Sequence, residues 1–258
     1  MKIASWNVNS IRARETIVSR WLSRHEPDVI CLQETKCSDD DFPIEEFLRL
    51  GYEPALFGQK TYNGVALLSR HATSAVTLGL EGDAEAAADR RFIAATVQGL
   101  CIASAYVPNG QAVGSAAFQY KLRWLEALRK TLESLASTGA PLVVCGDFNI
   151  ARDERDVYDP SAFVGQLHFH PDERATLESV LGEEFVDSLR LHDDRPGQYS
   201  WWDYRAGKRR HERGLRIDYI FISRSLAPRC LRSTIDQDVR WDLRPSDHAP
   251  LLIELSEG

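Results

Sequence analysis

Ser246-Asp247-His248-Ala249-Pro250-Leu251-Leu252-Ile253-Glu254-Leu255 joins a polar patch to a short apolar run, a pattern typical of a functional loop beside a buried strand. The opposite end of the chain has the reverse order, because the apolar run Lys2-Ile3-Ala4-Ser5-Trp6 leads into Asn7-Val8-Asn9-Ser10. Polar residues where a buried strand ends are usually caps or parts of an active site. The two chain ends are therefore candidate halves of one site.

The bulk composition is that of an ordinary globular protein. The chain has 258 residues, of which 43% are apolar and 27% are charged. No apolar run is long enough to span a membrane, and the first residues turn polar too early for a signal peptide. The length allows one large domain or two small ones, and we expect no membrane partner.

The cysteine pattern predicts free thiols. The five cysteines are odd in number and form no Cys-x-x-Cys pair, and Cys31, Cys101 and Cys145 lie inside apolar runs. This usage favours buried thiols in a reducing compartment over a disulfide framework or a zinc site. We expect the protein to be cytoplasmic.

Apolar runs and amphipathic segments alternate along the chain. Many of the runs are apolar on both faces, as expected of strands covered by helices or by a second sheet. The pattern predicts an α/β domain with sheets at the centre and helices outside. The predicted strands include Ile3–Trp6, Val29–Gln33, Gly64–Ser69, Phe92–Val97, Cys101–Val107, Leu142–Cys145, Ile217–Ile222 and Leu251–Leu255, and the predicted helices are Arg14–His25, Phe118–Ser137 and Asp172–Leu181.

The charge distribution leaves nucleic acid open as a partner. A formal net charge of −7 argues against a packaging protein. Basic residues are nevertheless concentrated beside aromatic ones, which suits contact with a phosphate backbone and an unstacked base, although a solvated loop explains the segment equally well. The segment contains Tyr199, Trp201, Trp202, Tyr204, Arg205, Lys208, Arg209, Arg210, Arg213 and Arg216.

Two acidic residues directly follow apolar strands. Phosphodiester hydrolysis needs a divalent metal, an activated water and donors for the developing charge. Glu34, after Val29–Gln33, is the best single candidate for a magnesium ligand. Asp147 and Asn149 lie two apart in Gly146-Asp147-Phe148-Asn149 and project to the same side, although an Asx-turn needs only one of them.

Further polar residues lie in or after apolar runs. Asp218 is an acid within such a run, so it must be hydrogen-bonded or functional. Asp247 can hold the imidazole of His248 in one tautomer. Tyr106 ends another run and could donate its hydroxyl to a phosphate, with Asn109 adding an amide. Each has a structural explanation alone, but together they match separate parts of one reaction.

Five ordered motifs resemble those of the exonuclease III/AP endonuclease family, in the endonuclease/exonuclease/phosphatase superfamily. The resemblance runs from residue 1 to about residue 255. It implies a four-layer α/β sandwich, in which two mixed β-sheets pack face to face with helices outside. It also implies one catalytic domain over residues 1–258 that acts on double-stranded DNA with Mg²⁺ or Mn²⁺, through 3′-to-5′ exonuclease activity, cleaning of 3′ termini, and incision at abasic sites in base excision repair. We expect a monomer, because nothing in the sequence demands more. The motifs are Trp6-Asn7-Val8-Asn9, Leu32-Gln33-Glu34, Gly146-Asp147-Phe148-Asn149, Gly214-Leu215-Arg216-Ile217-Asp218 and Ser246-Asp247-His248.

The resemblance also assigns roles. Glu34 binds the metal with Asn7 and Asn9 nearby, and Asp147, Asn149, Asp247 and His248 complete the implied metal environment. Asp147 activates water with support from Asn149, His248 and Tyr106 stabilise the phosphoryl charge, Asp247 orients His248, and Asp218 assists the metal or the leaving group. Asn109 contacts the substrate, and Trp201, Leu215 and Ile217 correspond to the pocket for an extruded abasic sugar.

Three alternatives stay open. His168 lies in a loop expected to border the sugar pocket, and its bulk would bias the enzyme towards 3′-end processing with little abasic-site incision, unless it faces solvent. A phosphoinositide or sphingolipid phosphodiesterase shares the fold, but the segment 199–216 argues against it. A non-catalytic nucleic-acid-binding regulator is the third, and the retained acids argue against a protein of that class.

Overall fold

In the computed structural model, which describes residues 1–203 and 212–257, two six-stranded sheets pack face to face. The first sheet contains both ends of the chain, because the N-terminal and C-terminal strands lie side by side in it. Both strands are apolar on the face turned towards the second sheet. In spatial order this sheet contains β13 (Cys230–Ile235), β14 (Leu251–Leu255), β1 (Lys2–Asn7), β2 (Val29–Gln33), β4 (Val65–Ser69) and β3 (Glu53–Phe57).

The second sheet carries the remaining acidic strand ends. Its strands pair in a register that sets Tyr106 opposite Asp147, and Asp147 opposite Asp218. The three residues therefore lie in one row at one edge of the sheet. In spatial order it contains β5 (Thr73–Leu78), β6 (Phe92–Val97), β7 (Leu100–Tyr106), β8 (Leu142–Asp147), β12 (Asp218–Ser223) and β9 (Phe185–Asp187).

Helices cover the outer faces of both sheets. Apolar side chains of α1 pack on the first sheet, and those of α4 and α6 pack on the second. Apolar side chains from both sheets fill the space between them. This is the four-layer α/β arrangement that the sequence predicts. The helices are α1 (Ile11–His25), α2 (Ile44–Arg49), α3 (Ala84–Ala88), α4 (Ala116–Ala136), α5 (Pro160–Phe163) and α6 (Pro171–Leu181).

A two-stranded ribbon stands at the edge where the polar strand ends meet. It pairs β10 (Trp201–Trp202) with β11 (Gly214–Leu215). Trp201 also forms an isolated bridge with His248, so the ribbon is attached to the loop that precedes β14. The predicted DNA contacts Tyr204, Arg205, Lys208, Arg209 and Arg210 lie outside the described residues.

The predicted strands and helices are all present, with shifted ends. The first helix begins at Ile11, three residues before the predicted start, and β8 continues through Asp147. The sequence pattern does not predict several elements, among them β5. The side chains of β5 are mostly exposed, so this strand has no continuous apolar run. All five cysteines are buried and unpaired, as predicted. Within residues 1–203 and 212–257, no helix is long and apolar enough to cross a bilayer.

Candidate active site

Asn7 joins the two sheets at the polar edge. Its side-chain Nδ2 donates to Oε1 of Glu34 at 2.8 Å and to Oδ2 of Asp147 at 2.9 Å. Glu34 follows β2 in the first sheet, whereas Asp147 ends β8 in the second. One buried amide therefore holds two carboxylates from opposite sheets at a fixed separation, because both of its N–H groups are used.

The chain makes tight backbone turns where these carboxylates emerge. Glu34 has a φ of 52° and Asn149 has a φ of 53°, a region that is costly for glutamate and better tolerated by asparagine. Gly146 has a φ of 140°, and a Cβ there would lie 1.9 Å from the carbonyl oxygen of Ala105. Only glycine fits this close approach of β8 to β7, and β8 continues through Gly146 to Asp147.

Asn149 supports Asp147 as the sequence predicts. The backbone N–H of Asn149 donates to Oδ1 of Asp147 at 2.9 Å, and its Nδ2 lies 3.3 Å from Oδ2. The side-chain Nδ2 of Asn109 lies 3.3 Å from Oδ1 of Asn149, so Asn109 belongs to the same hydrogen-bond network. Burial and the nearby charges of Asp218 and Glu34 raise the pKa of Asp147 to about 7, although the charge of His248 opposes the shift.

Asp218 orients His248. The Nδ1 of His248 lies 2.8 Å from Oδ2 and 3.0 Å from Oδ1 of Asp218, and its Nε2 faces Asp147 at 3.7 Å. Burial alone would lower the pKa of His248, but the charges of Asp218 and Asp147 raise it to about 10. His248 is therefore a buried imidazolium between two carboxylates. Its Nε2 lies beyond hydrogen-bonding distance of Asp147 and can donate to a further acceptor. The ligand atoms of His248 also lie within 4.8 Å of those of Glu34 and Asp147, so its role at the metal stays a prediction.

Asp247 does not orient His248, contrary to the sequence interpretation. Its Oδ1 accepts from Nδ2 of Asn9 at 2.9 Å, and its Oδ2 accepts from the indole N–H of Trp201 at 3.1 Å. Burial would raise the pKa of Asp247, but the charge of His248 and these two hydrogen bonds lower it. Asp247 is thus an ionised carboxylate that ties the N-terminal loop to the ribbon.

Tyr106 presents its hydroxyl to the acidic cluster. Burial, the charges of Glu34 and Asp147, and a hydrogen bond to Glu34 raise its pKa well above the usual value, so the phenol stays protonated. The guanidinium of Arg91 stacks over the Tyr106 ring at 4.3 Å and donates to Oδ2 of Asp89 at 2.7 Å. Arg91 places a positive charge on this side of the site, and no sequence motif predicts this residue.

The donor set fits a hard divalent cation. Ligand atoms of Glu34, Asp147 and His248 all lie within 4.8 Å of one another. The oxygen atoms of Glu34 and Asp147 are the anionic donors of this set, and two carboxylates with added waters are what magnesium prefers. Lys36 already places an ammonium 2.7 Å from Oε2 of Glu34, which shows that this carboxylate attracts a cation.

An apolar pocket wall adjoins the acidic cluster. Leu215 and Ile217 are 1% exposed and form its floor, together with Phe169, while Trp201 remains partly exposed above them. The ring centroid of His168 lies 6.2 Å from the ring centroid of Trp201. The structure therefore places the three predicted pocket residues together and puts His168 beside them.

Two further residues at this edge differ from what the sequence predicts. Arg216, expected in the basic segment, is 1% exposed and paired with Asp156 and Asp187, so it cannot contact a phosphate backbone. Ser200 was not identified from sequence, because a lone serine carries no signal. Its hydroxyl donates to Oδ2 of Asp218 at 2.6 Å and accepts from the N–H groups of Ile217 and Asp218 at 3.1 Å.

Comparisons with known proteins agree with this geometry. The sequence model of the Endonuclease/Exonuclease/phosphatase family matches residues 4–248. The chain is 34% identical to Exodeoxyribonuclease III of Haemophilus influenzae, over 98% of this chain and 99% of that protein. The 3′ phosphatase NExo from Neisseria, solved with a product DNA hairpin, superposes with a TM-score of 0.95 at 37% identity, and an AP endonuclease from Archaeoglobus fulgidus does so at 0.94 and 37%, with full coverage of both chains in each case.

Proposed function

The chain belongs to the endonuclease/exonuclease/phosphatase family, and we propose that its strand-end site hydrolyses phosphodiester bonds of double-stranded DNA with Mg²⁺ or Mn²⁺. The protein is a DNA repair nuclease of the exonuclease III type. The observation that carries the proposed chemistry is the Asn7 bridge, because it sets two carboxylates beside a buried imidazolium. That arrangement combines a cation site, a base and an anion-stabilising group.

Each part of the reaction has a matching side chain. A divalent cation held by Glu34 and Asp147 would stabilise the charge that develops on the phosphoryl oxygens. The carboxylate of Asp147 would accept a proton from the attacking water, and the side chain of Asn7 and the backbone of Asn149 fix its direction. His248 and the Tyr106 hydroxyl donate to the phosphoryl oxygens.

The apolar wall suits an extruded abasic sugar. Trp201 forms a bridge with His248 and packs against the buried side chains of Leu215 and Ile217, so its partly exposed ring offers apolar surface beside His248. A sugar that lacks its base loses little on leaving the duplex, so a pocket of this kind favours it. This arrangement supports incision at abasic sites in addition to exonuclease action at 3′ termini.

His168 favours a second candidate, namely a 3′-end-processing exonuclease with little abasic-site activity. Its ring lies beside Trp201, and its Nδ1–H donates to the carbonyl oxygen of Asn149 at 2.7 Å, so it is fixed against the pocket. Burial and the positive charges of Lys121 and His248 lower its pKa to about 3. A neutral, immobilised imidazole therefore narrows the space that an abasic sugar would need.

The site disfavours a non-catalytic regulator and a lipid phosphodiesterase. A regulator that has lost catalysis has no need for Glu34, Asp147 and His248 in a single hydrogen-bonded cluster. A lipid phosphodiesterase is disfavoured by the end-to-end similarity to nucleases. The cytoplasmic location, the monomeric state and the choice of metal stay predictions.

Two labelled duplexes test the proposal. One duplex carries a single internal abasic site, and the second carries an undamaged recessed 3′ end; each is incubated with protein and Mg²⁺, then with chelator. Chelator-sensitive digestion of the 3′ end supports the repair nuclease, and added incision of the abasic site selects the first candidate over the second. No cleavage of either duplex with Mg²⁺ or Mn²⁺ would overturn the proposed function.

A further inference from the structure

A fully buried ion pair lies behind the active-site loops, where the chemistry does not use it. Lys121 of α4 and Glu173 of α6 have side chains with no exposed surface, and the ammonium of Lys121 donates to Oε1 of Glu173. Burying two charges costs free energy that their attraction repays only partly, so a buried pair is weak evidence for a purely stabilising role. The remaining contacts of the pair are therefore informative.

Lys121 holds the backbone of two loops that carry site residues. Its Nζ donates to the carbonyl oxygen of Asn149 at 2.8 Å and lies 3.3 Å from that of Asn109. All three donors of the ammonium are thus directed at acceptors. Gly110 packs closely on the same side chain, since a Cβ there would lie 3.2 Å from Cδ of Lys121. The side chains of Asn149 and Asn109 contact each other across these loops.

Glu173 extends the link to the loop that contains His168. Its second oxygen accepts the backbone N–H of His170 at 3.1 Å, which caps the first turn of α6. His168 donates to the same carbonyl oxygen of Asn149 that Lys121 contacts. The Asn149 carbonyl is therefore held from both sides, and its left-handed backbone is fixed by groups outside its own loop.

We propose that Lys121, neutralised by Glu173, is a positioning residue for the nuclease reaction: it sets the backbone of Asn149 and Asn109, and through Asn149 the carboxylate of Asp147. The inference rests on the proposed function for its kinetic consequence. Asp147 must be aimed within a fraction of an ångström, because small misplacements of a reacting group are costly in rate.

The test compares Lys121→Met with Lys121→Arg and with a matched control on the same helix. Leu128→Ala is the control, because Leu128 is fully buried on the same helix and its substitution loosens the core without removing a hydrogen bond to either loop. Glu173→Gln is the milder second variant, since it removes the charge and keeps an acceptor. Each variant is assayed well below its own melting temperature, at saturating Mg²⁺, on the recessed 3′ end.

Two readouts decide the outcome. In Lys121→Met we expect kcat to fall by about 10²-fold with KM nearly unchanged, in Glu173→Gln a smaller fall, and in Lys121→Arg recovery of most of the rate, because arginine keeps the charge and the donors. Hydrogen exchange of peptides spanning residues 107–112 and 147–152 should accelerate in Lys121→Met. Leu128→Ala should change neither kcat nor exchange in these loops, despite an equal or larger loss of melting temperature.

The outcomes separate this inference from the proposed function. Unchanged exchange in Lys121→Met, or a loss of kcat no greater than in Leu128→Ala, would overturn the positioning role. If the wild-type protein cleaves neither duplex, the proposed function fails, and the exchange readout still decides whether Lys121 fixes the loops. Should Lys121→Met not fold, Glu173→Gln carries the same two readouts.

Discussion

The Nδ1 of His248 lies 2.8 Å from Oδ2 of Asp218, a residue 30 positions earlier in the chain. The contact explains how a buried imidazole remains charged, because burial lowers the pKa of His248 and the carboxylates raise it to about 10. It also gives Asp218 a role, which is to hold the tautomer and the charge of His248. Assistance of the metal or the leaving group by Asp218 stays a prediction.

Replacement of Asp218 tests this role. In Asp218→Asn we expect kcat to fall by about 10²-fold, since the donor that faces the phosphate loses its charge and its alignment. The imidazolium exists below its pKa, so activity that needs it persists up to about pH 10 in the wild-type protein. Without the carboxylate the pKa of His248 falls, and the alkaline limb of the kcat/KM profile should move to lower pH. An alkaline limb that stays in place would contradict the assignment.

Glu34 is expected to control metal affinity. In Glu34→Gln one of the two anionic donors becomes neutral, so half-maximal activity should require a metal concentration at least about tenfold higher. The measurement is the Mg²⁺ dependence of cleavage, together with direct titration of Mn²⁺. Glu53→Gln is the matched control, because Glu53 is exposed at the start of β3, and it should leave the metal dependence unchanged. Equal metal dependence in both variants would remove Glu34 from the metal site.

His168 is expected to set the balance of activities. His168→Gly removes the ring beside Trp201, and its φ of 69° suits glycine, so the backbone should be retained. The ratio of abasic-site incision to 3′-end digestion should rise by about tenfold. The effect should be the same at mildly acidic and mildly alkaline pH, because the pKa of His168 is lowered to about 3 and the ring is neutral throughout. His192→Ala, an exposed histidine, is the control, and an unchanged ratio in His168→Gly would exclude the steric role.

Ser200 is expected to matter for both stability and catalysis. Ser200→Ala removes the hydroxyl that accepts from the buried N–H groups of Ile217 and Asp218, and it leaves His248 as the remaining donor to Oδ2 of Asp218. The change should lower the free energy of unfolding by about 2 kcal/mol. Urea denaturation measures this loss, and Ser134→Ala on the exposed face of α4 should cost almost nothing. A loss no larger than that of Ser134→Ala would show that water replaces the hydroxyl.

The sequence predicts the location of the site better than its internal contacts. Glu34, Asp147 and His248 follow or precede apolar runs, and strand ends that meet at one sheet edge bring such residues together. The assignment of Asp247 to His248 was wrong because the chain bends at Asp247 and directs the two neighbouring side chains to different partners. Asp247 therefore faces Asn9 and Trp201, whereas His248 faces Asp218.

Long-range polar contacts leave little trace in a single sequence. Ser200 contacts Asp218 through a register that local patterns do not encode. Lys121 did carry a signal, since it lies three, four and seven residues before Trp124, Leu125 and Leu128, on the buried face of α4. A lysine at such a position requires a buried acceptor, and that requirement points to Glu173.

The most direct test of the account is single-turnover cleavage by Asp147→Asn, measured beside DNA binding by fluorescence anisotropy. Asparagine keeps the size of the side chain and removes the carboxylate that we propose as base and metal donor. We expect the rate on a recessed 3′ end to fall by at least about 10³-fold, with binding of the same duplex retained within about threefold. A cleavage rate within about tenfold of the wild-type value would contradict the central claim, namely that hydrolysis takes place at the carboxylate cluster held together by Asn7.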